Sequence, residues 1–133
     1  MEEIAVRVEA EINPTEDAEK VEAAVTNIFD SASVEVKPSY KGGVLYATAE
    51  GRDALVKFRS LLSLDRIRAA ARKVFFGGLR GNAIRFCLNK QVAFAGHVSF
   101  SEELAESPLG PIKVAIECGD PEQLIEWLAP RKA

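Results

Sequence analysis

Apolar and polar residues alternate strictly over residues 4–12. The apolar set recurs with a period of two: Ile4, Val6, Val8, Ala10 and Ile12. The positions between them include Arg7, Glu9 and Glu11. Successive side chains of a strand point to opposite faces, so this pattern predicts a strand with one buried and one wet face, typical of an antiparallel sheet.

The next segment has the spacing of an amphipathic helix over about residues 14–30. Its apolar stripe consists of Ala18, Val21, Val25, Ile28 and Phe29. Asn13 is placed to cap this helix, Pro14 suits its first turn, and Glu16 follows Asn13 at the spacing of a capping box. The sequence therefore predicts a helix that begins just after Asn13.

The middle of the chain reads as a hairpin followed by two helices. Residues 33–37 and 44–49 are β-prone and flank the turn Lys41-Gly42-Gly43, which predicts two paired strands. The second helix turns four apolar side chains inward: Leu55, Phe58, Leu61 and Leu62. Asp65 is placed to cap a third helix, which would end at Gly77-Gly78.

Strands return in the last third of the chain. Two are predicted at residues 84–88 and 92–100, joined by a hairpin turn at Asn89-Lys90. A final strand at 112–118 precedes a short helix that starts near Pro121.

These elements predict an α+β fold in a single domain spanning residues 1–133. Their order is β-α-β-β-α-α-β-β-β-α, with no internal repeat or linker. Strands and helices that follow one another in runs favour one antiparallel sheet with the helices packed on one face.

The amino terminus and the cysteines indicate the compartment. The chain starts Met1-Glu2-Glu3, unlike the basic and apolar start of a secretory signal, and no apolar run reaches the roughly 18 residues of a membrane span. We therefore expect a cytoplasmic protein with no membrane partner. In that reducing compartment Cys87 and Cys118 are predicted to be free thiols.

Charge is distributed unevenly along the chain. Residues 1–50 carry 11 acidic and 4 basic residues, and residues 91–133 carry 7 acidic and 3 basic ones. Residues 52–90 carry 10 basic and only 2 acidic residues, although the whole chain has a net charge of −3. A basic middle between acidic ends produces a directed local field, which steers partners more than net charge does.

Basic residues of this middle third are the best candidates for a binding surface. Five of them recur every seven residues: Arg52, Arg59, Arg66, Lys73 and Arg80. Arg68 and Arg72 are one helical turn apart, and Arg and Lys both pair with phosphates. The segment therefore predicts a surface for RNA or another polyanion. The alternative is a solvated helix face whose bases pair with the chain's own acids, and a helix break near Ser63 would interrupt the spacing.

A second group of candidates surrounds the strand predicted at 84–88. It consists of Asn82, Arg85, Asn89, Lys90 and Gln91. Amide side chains form hydrogen bonds with base edges and ribose hydroxyls, which favours a nucleic-acid contact. The same amides also satisfy the backbone of turns, so both interpretations stay open.

The sequence contains no arrangement of residues typical of catalysis. His97 is the only histidine, and no nucleophile elbow surrounds Ser99 or Ser101. The glycine-rich segment 77–82 leaves a helix rather than entering one and lacks the Lys-Ser/Thr of a phosphate-binding loop. Two cysteines and one histidine also lack metal-ligand spacing, so no enzyme activity, metal ion or cofactor is predicted.

Four strings carry a family resemblance that extends over essentially the whole chain. Residues 81–91 read Gly-Asn-Ala-Ile-Arg-Phe-Cys-Leu-Asn-Lys-Gln, and residues 96–100 read Gly-His-Val-Ser-Phe. With Ser-Pro-Leu-Gly-Pro-Ile at 107–112 and Trp-Leu-Ala-Pro at 127–130, the chain resembles an archaeal family of uncharacterised proteins. The resemblance implies a fold similar to the ribosomal protein of the L-five type, which binds a small ribosomal RNA. It implies no particular binding or catalytic residues.

The pattern of charge and the resemblance together favour a non-catalytic module that binds RNA or a ribonucleoprotein through its basic helical segment. The alternative is a protein-interaction scaffold or homodimer, in which acidic ends and basic middle of two copies pair. An enzyme of unknown class is a third alternative that no motif supports.

Overall fold

Seven strands and five helices make up the described part of the chain. The computed structural model describes residues 3–30, 32–39, 42–101 and 111–131. The strands are β1 Ala5–Ile12, β2 Ser33–Ser39, β3 Gly42–Glu50, β4 Leu79–Arg80, β5 Ala83–Leu88, β6 Phe100–Ser101 and β7 Ile112–Glu117. The helices are α1 Ala18–Ile28, α2 Val56–Leu64, α3 Arg68–Gly77, α4 Lys90–Phe94 and α5 Pro121–Leu128, and a 3₁₀ turn at Arg52–Leu55 precedes α2.

The strands form one antiparallel sheet in the order β2-β3-β1-β7-β5-β4, with β6 beside β4 on the outer edge of β5. Val8 in the central strand β1 lies opposite Ala47 of β3 on one side and Val114 of β7 on the other. The predicted single antiparallel sheet is therefore confirmed, and so is the pairing of the two hairpin strands, since β2 pairs with β3 in antiparallel register. The turn predicted at Lys41-Gly42-Gly43 differs: Gly42 and Gly43 belong to β3, and Lys41 lies outside the described residues.

Burial separates the two faces of the sheet. Inward-facing residues of the four inner strands are at most 8% exposed, among them Val6, Leu45, Phe86 and Val114. The alternate residues, such as Arg7, Tyr46 and Arg85, are exposed on the other face. The helices and their apolar residues belong to the same core as the inward face, so the predicted α+β class with helices on one face is confirmed.

Aromatic rings join the helices to the sheet. The Phe58 ring of α2 lies 5.3 Å from Phe29 and 5.6 Å from Phe86, measured between ring centroids. Phe75 of α3 lies 5.0 Å from Phe86 and 5.7 Å from Phe100. Ring pairs at these separations contribute attraction beyond their buried area, so this cluster fixes α2 and α3 over β5.

Residues 92–100 contain a helix where the sequence predicted a strand. Asn89 begins α4 by accepting a hydrogen bond from the Val92 amide at 3.0 Å, so the predicted hairpin turn at Asn89-Lys90 is wrong. The Asn27 side chain of α1 donates to the carbonyls of Ala93 and Phe94, both at 3.1 Å. These carbonyls at the end of the helix need donors, and Asn27 supplies them. Within residues 92–101, only Phe100 and Ser101 pair as a strand.

Two predicted helix starts are also displaced along the chain. Helix α1 begins at Ala18, where Asp17 accepts from the Glu19 amide, while Asn13 and Glu16 hydrogen bond to each other in the preceding turn. Asp65 does not cap α3, which begins at Arg68. Its carboxylate instead accepts a hydrogen bond from the Val98 amide at 2.9 Å, which holds the segment after α4.

The cysteines lie on opposite faces of the sheet. Cys87 is half-buried on the outward face, whereas Cys118 is buried. Among the described residues, no helix has the length and apolar character that a membrane span requires.

Gly78 ends α3 at a point where the backbone presses against β5. Its carbonyl accepts from the Arg85 amide at 3.0 Å, and a Cβ added there would overlap the Arg85 carbonyl oxygen. Gly78→Ala is therefore expected to lower the free energy of unfolding by about 1–3 kcal/mol, measured by urea denaturation. Gly77→Ala is the matched control, because a Cβ there meets nothing within 4 Å. Equal stability of the two variants would contradict this packing.

Candidate nucleic-acid interface

Two arginines contact Trp127 near the end of α5. The guanidinium carbons of Arg52 and Arg59 lie 5.0 and 5.2 Å from the centroid of the Trp127 ring. The Nε of Arg59 also donates a hydrogen bond to the Trp127 carbonyl at 2.7 Å. Cation–π contacts and a charge-assisted hydrogen bond thus fasten the start of the basic segment to α5.

A third arginine reaches the same helix end from α3. Arg72 donates to the Ala129 carbonyl at 3.0 Å and to Oε1 of Glu126 at 2.7 Å. The hydrogen bond from Arg72 lowers the pKa of the Glu126 carboxyl, because it favours the charged form, although burial acts in the opposite direction. Arg72 is therefore largely occupied inside the molecule.

This convergence follows from the polarity of a helix. The last carbonyls of α5 lack partners within the helix and carry partial negative charge, so arginines of the neighbouring helices supply both donors and positive charge. The proposal that the bases serve the chain's own structure is thus partly correct. The carboxylate partner that the alternative expected is present for Arg72, whereas Arg59 bonds to a carbonyl.

A groove beside this cluster combines two arginines with two serines. We call it the arginine groove, and it is lined by Arg59, Ser60, Ser63, Leu64, Arg68, Leu128 and Pro130. Its volume is about 410 Å³, and no carboxylate is among its lining residues. Within the described ranges Arg68 forms no ion pair, and Arg59 engages only its Nε and its ring contact. The groove is therefore an electropositive site with hydroxyl donors.

The remaining members of the seven-residue series lie apart from the groove. Arg66 is exposed in the turn between α2 and α3 with a left-handed φ of 57°, and Lys73 is exposed on α3. Arg80 lies on β4 and donates to the carbonyls of Gly77 and Leu79 at 3.2 and 2.8 Å. The turn at residues 65–67 separates the two helices, so the five bases do not form one stripe.

Two of the residues predicted around β5 have internal roles. Lys90 is only 5% exposed, and its Nζ donates to the Glu11 carbonyl at 2.6 Å and to Glu16 at 3.0 Å. Asn89 is occupied as the cap of α4. A buried lysine with these partners is not accessible to RNA. The sequence carried no direct signal of this, because Glu11 and Glu16 are more than seventy residues away.

The other three candidates lie on different surfaces. Asn82 borders a groove with four acidic residues, namely Glu3, Glu50, Glu117 and Asp120. Gln91 is exposed on α4 beside Glu16 and Asp17. Arg85 points outward from β5, on the open face of the sheet. The structure thus does not bring Asn82, Arg85 or Gln91 to the arginine groove.

His97 lies away from the pockets described above. Its Nδ1 is 3.0 Å from Oδ1 of Asp65, and the ring is exposed. Within the residues that the structure describes, no group of three or more His, Cys, Asp or Glu side chains is arranged to hold a metal ion. The His97–Asp65 contact helps to anchor the segment after α4.

Comparison with known proteins adds to this geometry. Residues 5–118 match the model of a family described as RNA binding. The UPF0201 protein of Sulfurisphaera tokodaii is 44% identical over 126 residues, which cover 95% of this chain and 87% of the relative. The chain belongs to this UPF0201 family. The predicted membership in an archaeal family of uncharacterised proteins is therefore confirmed.

Solved structures show that this UPF0201 fold recurs. The UPF0201 protein from Methanococcus jannaschii has a TM-score of 0.86 at 32% identity, covering 95% of this chain and 99% of that one. A DUF54 protein from Archaeoglobus fulgidus has a TM-score of 0.68 at 24% identity, covering 92% of each chain. The second likeness shows a shared fold alone.

Proposed function

We propose that this chain is a non-catalytic module that binds RNA, and that the arginine groove holds RNA phosphates. The observation that carries the proposal is the pairing of Arg59 and Arg68 in one groove without a carboxylate, in a chain whose net charge is negative. Membership in a family described as RNA binding supports the same conclusion.

The groove matches the chemistry of a sugar–phosphate backbone. The Nη groups of Arg59 and the guanidinium of Arg68 are suited to pair with phosphate oxygens, and the hydroxyls of Ser60 and Ser63 add hydrogen-bond donors. Leu64, which is 75% exposed, offers an apolar contact for a ribose or a base. Backbone contacts of this kind position an RNA strand and carry no base sequence directly.

We further propose that the module is cytoplasmic, that its partner is RNA or a ribonucleoprotein, and that its fold is similar to the ribosomal protein of the L-five type. The likeness is an analogy of fold, and a shared fold hosts unrelated functions. The support for RNA binding is therefore the arginine groove together with the family membership.

A salt titration tests RNA binding by the whole chain. Binding to archaeal total RNA, measured by filter retention, should weaken as the salt concentration rises, because counterions compete for the phosphates. Two phosphate contacts on single strands give a log–log slope of about −1.4, or about sevenfold between 50 and 200 mM salt. If the chain binds no RNA at low salt, RNA is not its partner. If the affinity for RNA does not change with salt, the chain does not contact RNA phosphates.

A further inference from the structure

A second cationic groove lies on the open face of the sheet and is bordered by Val74 of α3. We call it the sheet groove, and its volume is about 550 Å³. Its outward-facing residues include Arg7, Glu9, Tyr46, Arg85, Lys113 and Ala115. Of these residues only Arg85 belongs to the basic segment at 52–90, so the distribution of charge along the chain does not predict this groove.

Strand register places a small residue between two cations. Ala115 of β7 lies directly opposite Arg7 of β1 and directly opposite Arg85 of β5. Neighbouring strands are about 4.8 Å apart, so the two arginines flank the alanine at about 10 Å between their Cα atoms. Lys113 lies two residues along β7 on the same face. The small side chain of Ala115 thus leaves space between two positively charged side chains.

Charge in the sheet groove favours an anion. Three cations line it against the single carboxylate of Glu9. Arg7 is 3.7 Å from Glu117 in an exposed pair, which is worth little in water. Arg85 and Lys113 form no ion pair with any residue in the described part of the chain. Glu9 lies directly opposite Lys113 across β1 and β7, so the charge of Arg85 is the less compensated of the two.

Tyr46 adds an aromatic surface to the same groove. Its side chain is 37% exposed on β3, opposite Glu9 of β1, and the ammonium of Lys37 lies 5.4 Å from its ring centroid. Exposed aromatic rings on a sheet stack the bases of single-stranded RNA, and cations beside them hold the phosphates. The ring and the cations occupy one continuous groove.

We propose that the sheet groove binds a single-stranded segment of RNA, with a base stacked on Tyr46 and phosphates paired with Arg85 and Lys113. This inference rests on the proposed function, since it extends RNA binding to a second surface. A second copy of the chain fits the face less well. Interface cores are depleted in charged residues, whereas this face carries a charged residue on almost every strand.

Variants of the sheet groove test the inference by fluorescence anisotropy with a labelled twelve-nucleotide oligouridylate. Tyr46→Ala should weaken binding about tenfold through lost stacking, whereas Tyr46→Phe should bind as the unmodified chain does. Arg85→Gln should weaken binding several-fold and make the salt slope shallower by about 0.7. Lys20→Gln removes an exposed cation of α1 and is the matched control.

The outcomes separate this inference from the proposed function. If the unmodified chain binds the oligonucleotide while Tyr46→Ala and Arg85→Gln bind equally well, the sheet groove is overturned and RNA binding stands. If the unmodified chain binds no RNA, both proposals fall. Light scattering gives a third outcome. If the unmodified chain is a dimer and either Tyr46→Ala or Arg85→Gln makes it a monomer, the face binds a second copy of the chain and the inference is overturned.

Discussion

Replacing Lys90 by methionine is expected to lower the free energy of unfolding by about 3–5 kcal/mol. Lys90 is buried and donates to the Glu11 carbonyl and the Glu16 carboxylate, so the variant leaves a mostly buried carboxylate without its cation. Urea denaturation followed by Trp127 fluorescence measures the change. Lys20→Met, at an exposed lysine, should change stability by less than about 0.5 kcal/mol. A loss below about 1 kcal/mol for Lys90→Met would contradict the assigned role.

The effect of Lys90 should depend on pH. Burial raises the pKa of Glu16, but hydrogen bonds from Asn13 and Lys90 outweigh it, so the pKa lies below its ordinary value of 4.5. A lowered carboxyl pKa stabilises the fold above the unfolded-state pKa, and this stability is lost as the pH falls through the folded-state pKa. The difference between the unmodified chain and Lys90→Met should therefore narrow below about pH 4.5. A constant difference down to pH 3 would contradict it.

The double substitution Arg59→Gln with Arg68→Gln is expected to weaken binding of single-stranded RNA by about ten- to a hundredfold. Each arginine loses a charge-assisted contact with phosphate, which is worth about 1 kcal/mol or more at a partly exposed site. Fluorescence anisotropy at fixed salt measures the change. Binding within twofold of the unmodified chain, by a folded variant, would remove the arginine groove as the site.

Two controls separate loss of contact from loss of structure. Arg59 also donates to the Trp127 carbonyl, so its substitution affects the attachment of α5. Arg68 has no such internal hydrogen bond in the described structure, so Arg68→Gln alone should keep full stability and still weaken binding about threefold to tenfold. Lys20→Gln removes an equal charge outside both grooves and should bind RNA normally.

The architecture could be predicted because its signals are local. Alternation over residues 4–12 specifies which side of β1 is buried, and the β-prone segments at 33–37 and 44–49 locate β2 and β3. Phe58 and Leu62 recur at helical spacing and are fully buried in α2. Each of these patterns lies within one element, so no knowledge of distant residues was needed.

The predictions for Asn89 and Lys90 were wrong because residues distant in the sequence determine the structure there. Asn89 caps the helix at residues 90–94, and the side-chain amide of Asn27 donates to the carbonyl of Ala93, sixty-six residues further along the chain. Lys90 looked like a surface cation because its partners Glu11 and Glu16 lie in the first strand and turn. Long-range hydrogen bonds of this kind leave no periodic trace in the sequence.

The sequence predicts the positive charge of the candidate site but not the positions of its side chains in space. The excess of basic residues at 52–90 located Arg59 and Arg68, but only the docking of α5 reveals which arginines are used internally and which line a groove. The sheet groove assembles Arg7, Tyr46, Arg85 and Lys113 from four strands. Spacing along the chain cannot show such an arrangement.

The most direct test of phosphate binding by the arginine groove compares the salt dependence of RNA affinity between the unmodified chain and the Arg59→Gln, Arg68→Gln variant. Counterion release should make the slope of log affinity against log salt shallower by about 1.4 in the variant, because two phosphate contacts are lost. Identical slopes for two equally folded proteins would show that neither arginine contacts a phosphate.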